Sequence, residues 1–129
     1  MAGPLVYVDT SDVRDDALEA VKAAIEELVA FIEANEPKLL AYGVYLNEDE
    51  GRMTVVHVHT DSSSLEYHLK VGGPAFKPFV DLITLSSIHV YGEPSENAVE
   101  QLRQKARMLG SGTVVIHPPA GGFTRFGPG

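Results

Sequence analysis

Apolar side chains recur along this chain with two periods, and the switches between them mark its elements. From Arg52 to Thr60 the period is two: Met53, Val55, His57 and His59 fall on one side and Thr54, Val56 and Val58 on the other, as in a strand. From Val13 to Ala34 the period is helical, with Leu18, Val21, Ile25, Leu28 and Ile32 in one stripe. The polar cluster Asp9-Thr10-Ser11-Asp12 offers capping oxygens before that helix, and Asn35-Glu36-Pro37 ends it. Leu5 to Val8 reads as a first strand. Leu39 to Leu46 reads as a second, with Leu40, Tyr42, Val44 and Leu46 on one face and Leu39, Ala41, Gly43 and Tyr45 on the other.

The polar loop Asn47 to Gly51 has hairpin length, so strands 39–46 and 52–60 are expected to pair antiparallel. Asp61 or Ser62 caps a helix running to Val71, on which Leu65, His68 and Leu69 share a stripe. Gly72-Gly73-Pro74 breaks it, and Pro74 to Leu82 restarts as a helical turn bearing Phe76, Phe79 and Val80. Leu85 to Tyr91 is a fourth strand, with Leu85, Ser87, His89 and Tyr91 on one face. Pro94-Ser95 opens a last helix striped by Val99, Leu102, Ala106 and Leu109. Arg103, Lys105 and Arg107 crowd its negative end, and Gly110 caps it. Thr113 to His117 is a fifth strand, and the glycine-rich tail that follows is expected to be mobile or to fold only against a partner surface.

The order β-α-β-β-α-β, then α-β, predicts an α+β fold of the ferredoxin-like, split βαβ kind. The sheet is expected to be antiparallel, with both main helices on one face. One domain over 1–129 is expected, with its core in 4–117 and a tail at 118–129. Its other sheet face, bare and apolar, predicts a homodimer packed through that face.

Composition narrows the partners. Ten basic against eighteen acidic residues give a net charge of −8, which disfavours nucleic acid and anionic membranes. The absence of cysteine excludes disulfides, thiolate metal sites and thiol nucleophiles. With no leader-like or membrane-spanning apolar run, a cytoplasmic location is expected.

Candidate chemistry centres on histidine. His57 and His59, about 7 Å apart at Cα on one strand face, could both reach one divalent metal. Glu66 lies too far along to complete a site, so we expect no metal and no cofactor, the pair instead lining a semi-polar cavity. His89, Tyr45, Tyr91 and Phe76 join them as expected substrate contacts. His68 lies on an apolar helix stripe, and the unperturbed pKa of a histidine, about 6.5, suits proton transfer near neutrality.

At Ser64–Ile83, SLEYHLKVGGPAFKPFVDLI, the chain resembles the antibiotic-biosynthesis-monooxygenase-like family of the dimeric α+β barrel superfamily. His68-Leu69 stands at the family's His-Leu pair, and Phe76 and Phe79 in its aromatic segment. The element order agrees over roughly 4 to 117. Tryptophan is absent, which removes the pattern of the haem-degrading branch. The resemblance implies a small cofactor-independent monooxygenase-like oxidoreductase, with His68 catalytic, acting on an aromatic or quinol-type molecule between sheet and helices. The alternative is a non-catalytic small-ligand-binding or assembly protein of the same fold.

Overall fold

In the computed structural model, which describes residues 3–126, five strands form one sheet in the order β2-β3-β1-β4-β5. The elements are β1 Leu5–Val13, α1 Leu18–Asn35, β2 Leu39–Asn47, β3 Arg52–His59, α2 Ser62–Gly72, a 3₁₀ segment Pro74–Phe79, β4 Ile83–Tyr91, α3 Glu96–Leu109 and β5 Gly110–His117. The first four strands are the antiparallel ferredoxin-like set. The expectation of a wholly antiparallel sheet is corrected at β5, which runs parallel to β4 because α3 crosses over between them.

A second correction concerns Asp9 to Asp12. These residues do not cap α1 but continue β1, which is paired on both sides over its length, by β3 and by β4. A central strand must satisfy its backbone donors and acceptors, and that requirement overrides the turn preference of a polar cluster. Helix α1 accordingly starts later than its periodicity implied, from Ala17, with no side-chain cap.

All the helices lie on one face of the sheet, over Leu5, Tyr7, Val55, Ile83, Ile88 and Val90, with Val21, Leu28, Ile32, Leu65, Phe79 and Leu102 closing the core. Helices α2 and α3 are clamped together. Ser95, the α3 N-cap, donates from its backbone to Ser62 Oγ and from its hydroxyl to Glu66, and Asn97 donates to the same carboxylate. Two register shifts move side chains between faces. One between Leu39 and Ala41 in β2 sends Leu40 to solvent and turns Tyr42, Val44 and Leu46 towards the helices, so Val44 is not on the bare face. The other, where β4 carries an extra residue opposite Thr10 and Ser11, puts Leu85 in the core while His89 and Tyr91 face away.

The far face carries Val6, Val8, Val56, Val58, His89 and Tyr91, and no helix among the described residues lies over it. Tyr45 lies there too, its ring so close over Gly43 that a Cβ would stand 2.8 Å from the hydroxyl. The tail from Pro118 to Arg125 extends exposed beyond β5, and its last residues, 127–129, lie outside the described part of the chain. No helix among the described residues is long and apolar enough to cross a membrane.

Candidate active site

Strand register assembles a row of rings on the helix side of the sheet. Tyr7 of β1 is directly opposite His57 of β3, and Tyr42 of β2 is opposite His57 on its other side. The Tyr7 and His57 rings stack at 4.0 Å and 6°, and Tyr42 meets His57 edge-on at 4.8 Å. Two residues along each strand, Asp9 and His59 extend the same face.

The helices bring the remaining groups. Asp61 caps α2 by accepting from Ser64 N, and Ser64, Leu65, His68 and Gly72 form the buried stripe that follows. Ser64 Oγ sits 2.9 Å from His59 Nδ1. The His68 ring stands 4.8 Å from that of His57 and 5.4 Å from that of His59. Gly72 leaves room for it, since a Cβ there would lie 3.3 Å from His68 Cε1 and 3.4 Å from Ile32 Cδ1. Glu36, just past α1, places its carboxylate oxygens 2.7 and 2.9 Å from His68 Nδ1. From α3, Lys105 donates to Tyr7 Oη at 2.5 Å and to Asp9 Oδ2 at 3.2 Å, and its ammonium lies 3.9 Å above the Phe76 ring.

Burial governs the protonation of this cluster. Desolvation pushes His57 and His68 down to about 3 and His59 to about 2, so all three imidazoles are neutral at neutral pH. It lifts Glu36 to about 7. Burial alone would raise Asp9 as well, but the Lys105 ammonium and the His57 ring hold it well below the usual carboxylate range. Lys105 is lowered by burial against the pull of Asp9, and Tyr7 is raised by burial and by Asp9.

A neutral His68 whose Nδ1–H donates a hydrogen bond to an ionised Glu36 must carry a bare lone pair on Nε2, and that nitrogen is buried without a hydrogen-bond partner. The arrangement is that of a general base fixed in one tautomer by a carboxylate. Both nitrogens of His57 and Nε2 of His59 are also buried without a hydrogen-bond partner, with Asp9 Oδ2 standing 3.4 Å from His57 Nε2. Among the described residues no group of three or more histidine, aspartate or glutamate side chains is arranged to hold a metal. The His57 and His59 rings lie nearly parallel, 17° apart, and His68 Nδ1 is occupied by Glu36.

Of the residues expected from sequence, His57, His59, His68 and Phe76 come together here. His89, Tyr45 and Tyr91 do not: they lie on the opposite sheet face, where His89 Nδ1 and His117 Nε2 bond at 2.8 Å and Tyr91 stacks on His117. The register shift in β4 and the outward phase of Tyr45 in β2 put the sheet between them and His68, so they are no part of this site. Asp9, Glu36 and Lys105 belong to it and were not anticipated. Each is a polar residue on an otherwise apolar stripe: Asp9 after Leu5 and Tyr7, Glu36 four beyond Ile32, Lys105 between Leu102 and Leu109.

No family model matches the chain, and no curated protein matches it. Solved structures do. MupZ from Pseudomonas fluorescens superposes with a TM-score of 0.74 at 19% identity, covering 95% of each chain. SnoaB, a cofactor-independent oxygenase from Streptomyces nogalater, matches at 0.59 and 18%, covering 73% of this chain and 96% of its own. A candidate antibiotic biosynthesis monooxygenase from Caulobacter crescentus matches at 0.61 and 18%, over 73% and 91%. The chain therefore has the ferredoxin-like α+β fold of the antibiotic-biosynthesis-monooxygenase-like proteins, as its His-Leu segment implied.

Proposed function

We propose that this chain is a cofactor-independent oxygenase acting on an aromatic or quinol-type small molecule at the interface of sheet and helices. The observation that carries the reading is the Glu36-held, otherwise unpartnered Nε2 of His68 in a desolvated interior. His68 Nε2 takes a proton from the substrate hydroxyl, and the anion so formed is electron-rich enough to pass electrons to dioxygen without a flavin or metal. Lys105, beside Tyr7 and Asp9, stabilises negative charge as it develops. The shared fold with SnoaB supports the reaction class.

A panel of phenols and hydroquinones, followed by oxygen uptake, tests it. One or more should be consumed with stoichiometric oxygen, and His68→Gln should slow turnover about 10²- to 10⁴-fold with folding unchanged. No oxygen uptake above the protein-free rate with any of them would remove the oxygenase reading. Turnover should rise with pH through about 7, as Glu36 ionises and imposes the Nδ1–H tautomer. In Glu36→Gln, whose amide oxygen still accepts from Nδ1 but does not titrate, that limb should flatten.

A second reading is favoured by the proximity of a donor, Lys105 with Tyr7, to the basic histidine: acid–base isomerisation or intramolecular addition without oxygen. Product formed at the same rate under nitrogen would select it.

The same proposal includes a homodimer through the far sheet face, supported by Val6, Val8 and Val56 standing there uncovered by any helix. The protein should elute near twice its 13.9 kDa mass, and Val56→Asp should shift it to the monomer position. A monodisperse monomer of the unaltered chain at micromolar concentration would contradict this.

A further inference from the structure

On the sheet face away from the helices, β4 and β5 run parallel, with His89 opposite Val115 and Tyr91 opposite His117. That register sets three rings side by side. His89 Nδ1 and His117 Nε2 lie 2.8 Å apart with their rings within 11° of parallel, and Tyr91 stacks on His117 at 4.6 Å. Both histidines are half-buried and Tyr91 is 45% exposed. The group borders the uncovered valines, since Val8 pairs with His89 and Val6 with Tyr91.

The bond between the two imidazoles sets a condition on their charge. One nitrogen donates and the other must offer its lone pair, so the pair holds with at most one ring protonated. Two imidazolium rings at this distance repel, and a second copy packed over the face removes the water that would screen them. Among the described strand residues, the other charged side chains on this face are Asp12 of β1 and Arg52 of β3, which pair with each other at 3.7 Å. They stand at the opposite end of the face, four residues along β1 from Val8. Tyr45 and Tyr91 share the face, and a phenol gains no charge on acidification. The helices pack on the other side of the sheet.

We infer that protonation of the His89–His117 pair switches the association of this face with a second copy: the copies hold while at least one ring of each pair is neutral and separate as both become cations. The inference rests on the proposed homodimer and adds its regulation. Its sign is opposite to that of bulk electrostatics. Acidification reduces the net charge of −8 and with it the repulsion between copies, so net charge alone would tighten association.

Sedimentation at a series of concentrations, at pH 7.5 and at pH 5.5, measures the dissociation constant. An ordinary histidine passes from about one-tenth to about nine-tenths protonated over this interval, and the dimer holds two such pairs, so the constant should rise about tenfold or more at pH 5.5. Circular dichroism should be unchanged. In the double variant His89→Gln/His117→Gln, whose amides still pair but do not titrate, the constant should stay level or fall. An unaltered protein that associates as tightly at pH 5.5, or a double variant that weakens as much as the unaltered protein, would overturn the switch. Should the double variant fail to fold, His117→Gln decides in the same way, since its amide oxygen accepts from a protonated His89. A monomer at both pH values would remove the homodimer and the switch together; a dimer equally tight at both would leave the homodimer standing and remove the switch alone.

Discussion

Acidification should unfold this protein cooperatively, with a midpoint roughly between pH 3 and 5. The folded chain holds His57, His59 and His68 neutral down to about 3, 2 and 3, whereas the unfolded chain protonates each near its ordinary 6.5. A lowered histidine pKa makes the fold lose stability as pH falls below 6.5, at ~1.4 kcal/mol per pH unit and group. Glu36 acts in the opposite sense. Its carboxyl, raised from 4.5 to about 7, takes up its proton in the fold first, so that acidification from 7 to 4.5 favours the fold through this one group. The net is two protons, or about 2.7 kcal/mol per unit, which removes about 5 kcal/mol by pH 4.5, against a total stability typically of ~5–15 kcal/mol. Below 4.5 the Glu36 offset is complete and the slope steepens. Circular dichroism followed against pH checks this. His59→Gln, which removes one titrating ring, should move the midpoint to lower pH, and a fold intact at pH 2 would contradict the burial of the three neutral rings.

Lys105→Met should destabilise the fold by about 3–5 kcal/mol, although methionine fills much the same volume. Lys105 and Asp9 are 6% and 4% exposed at their side chains, and the ammonium is the charge that lets the Asp9 carboxylate remain ionised in the interior. Removing it leaves a buried anion whose nearest other charge-capable group, His57, is neutral. Asp9→Asn combined with Lys105→Met removes both charges and should recover most of the loss, because the penalty lies in the unpaired carboxylate and not in the lost contact. Denaturant midpoints of the two variants measure it. Equal destabilisation of the single and double variants would mean that the lysine acts through packing alone.

The long elements were legible because their apolar periodicity serves the core directly: the α1 stripe, the β3 alternation and the α2 cap at Asp61 all stand close to where the sequence put them. His57, His59 and His68 could be brought to one site by period alone. Lys105 was legible in principle, lying three after Leu102 and four before Leu109, but its neighbours Arg103 and Arg107 made it read as one of several helix-end cations. Asp9 was masked by the capping preference of its cluster, and only pairing on both edges of β1 shows why it is a strand residue. The faces of His89 and Tyr91 were not recoverable, because one inserted residue in β4 reverses side-chain phase and nothing local in Ser86-Ser87 announces it.

Glu36 holds His68 as a neutral base with a bare Nε2, and the proposed chemistry depends on it. Proton–nitrogen correlation spectra of the histidine side chains, recorded on the unaltered protein at pH 8 with His68→Gln for assignment, test it most directly. The expected result is a neutral His68 ring protonated at Nδ1 and unprotonated at Nε2, with the tautomer changing as Glu36 takes up its proton near 7. A His68 protonated on both nitrogens, or on Nε2 alone, at pH 8 would contradict it.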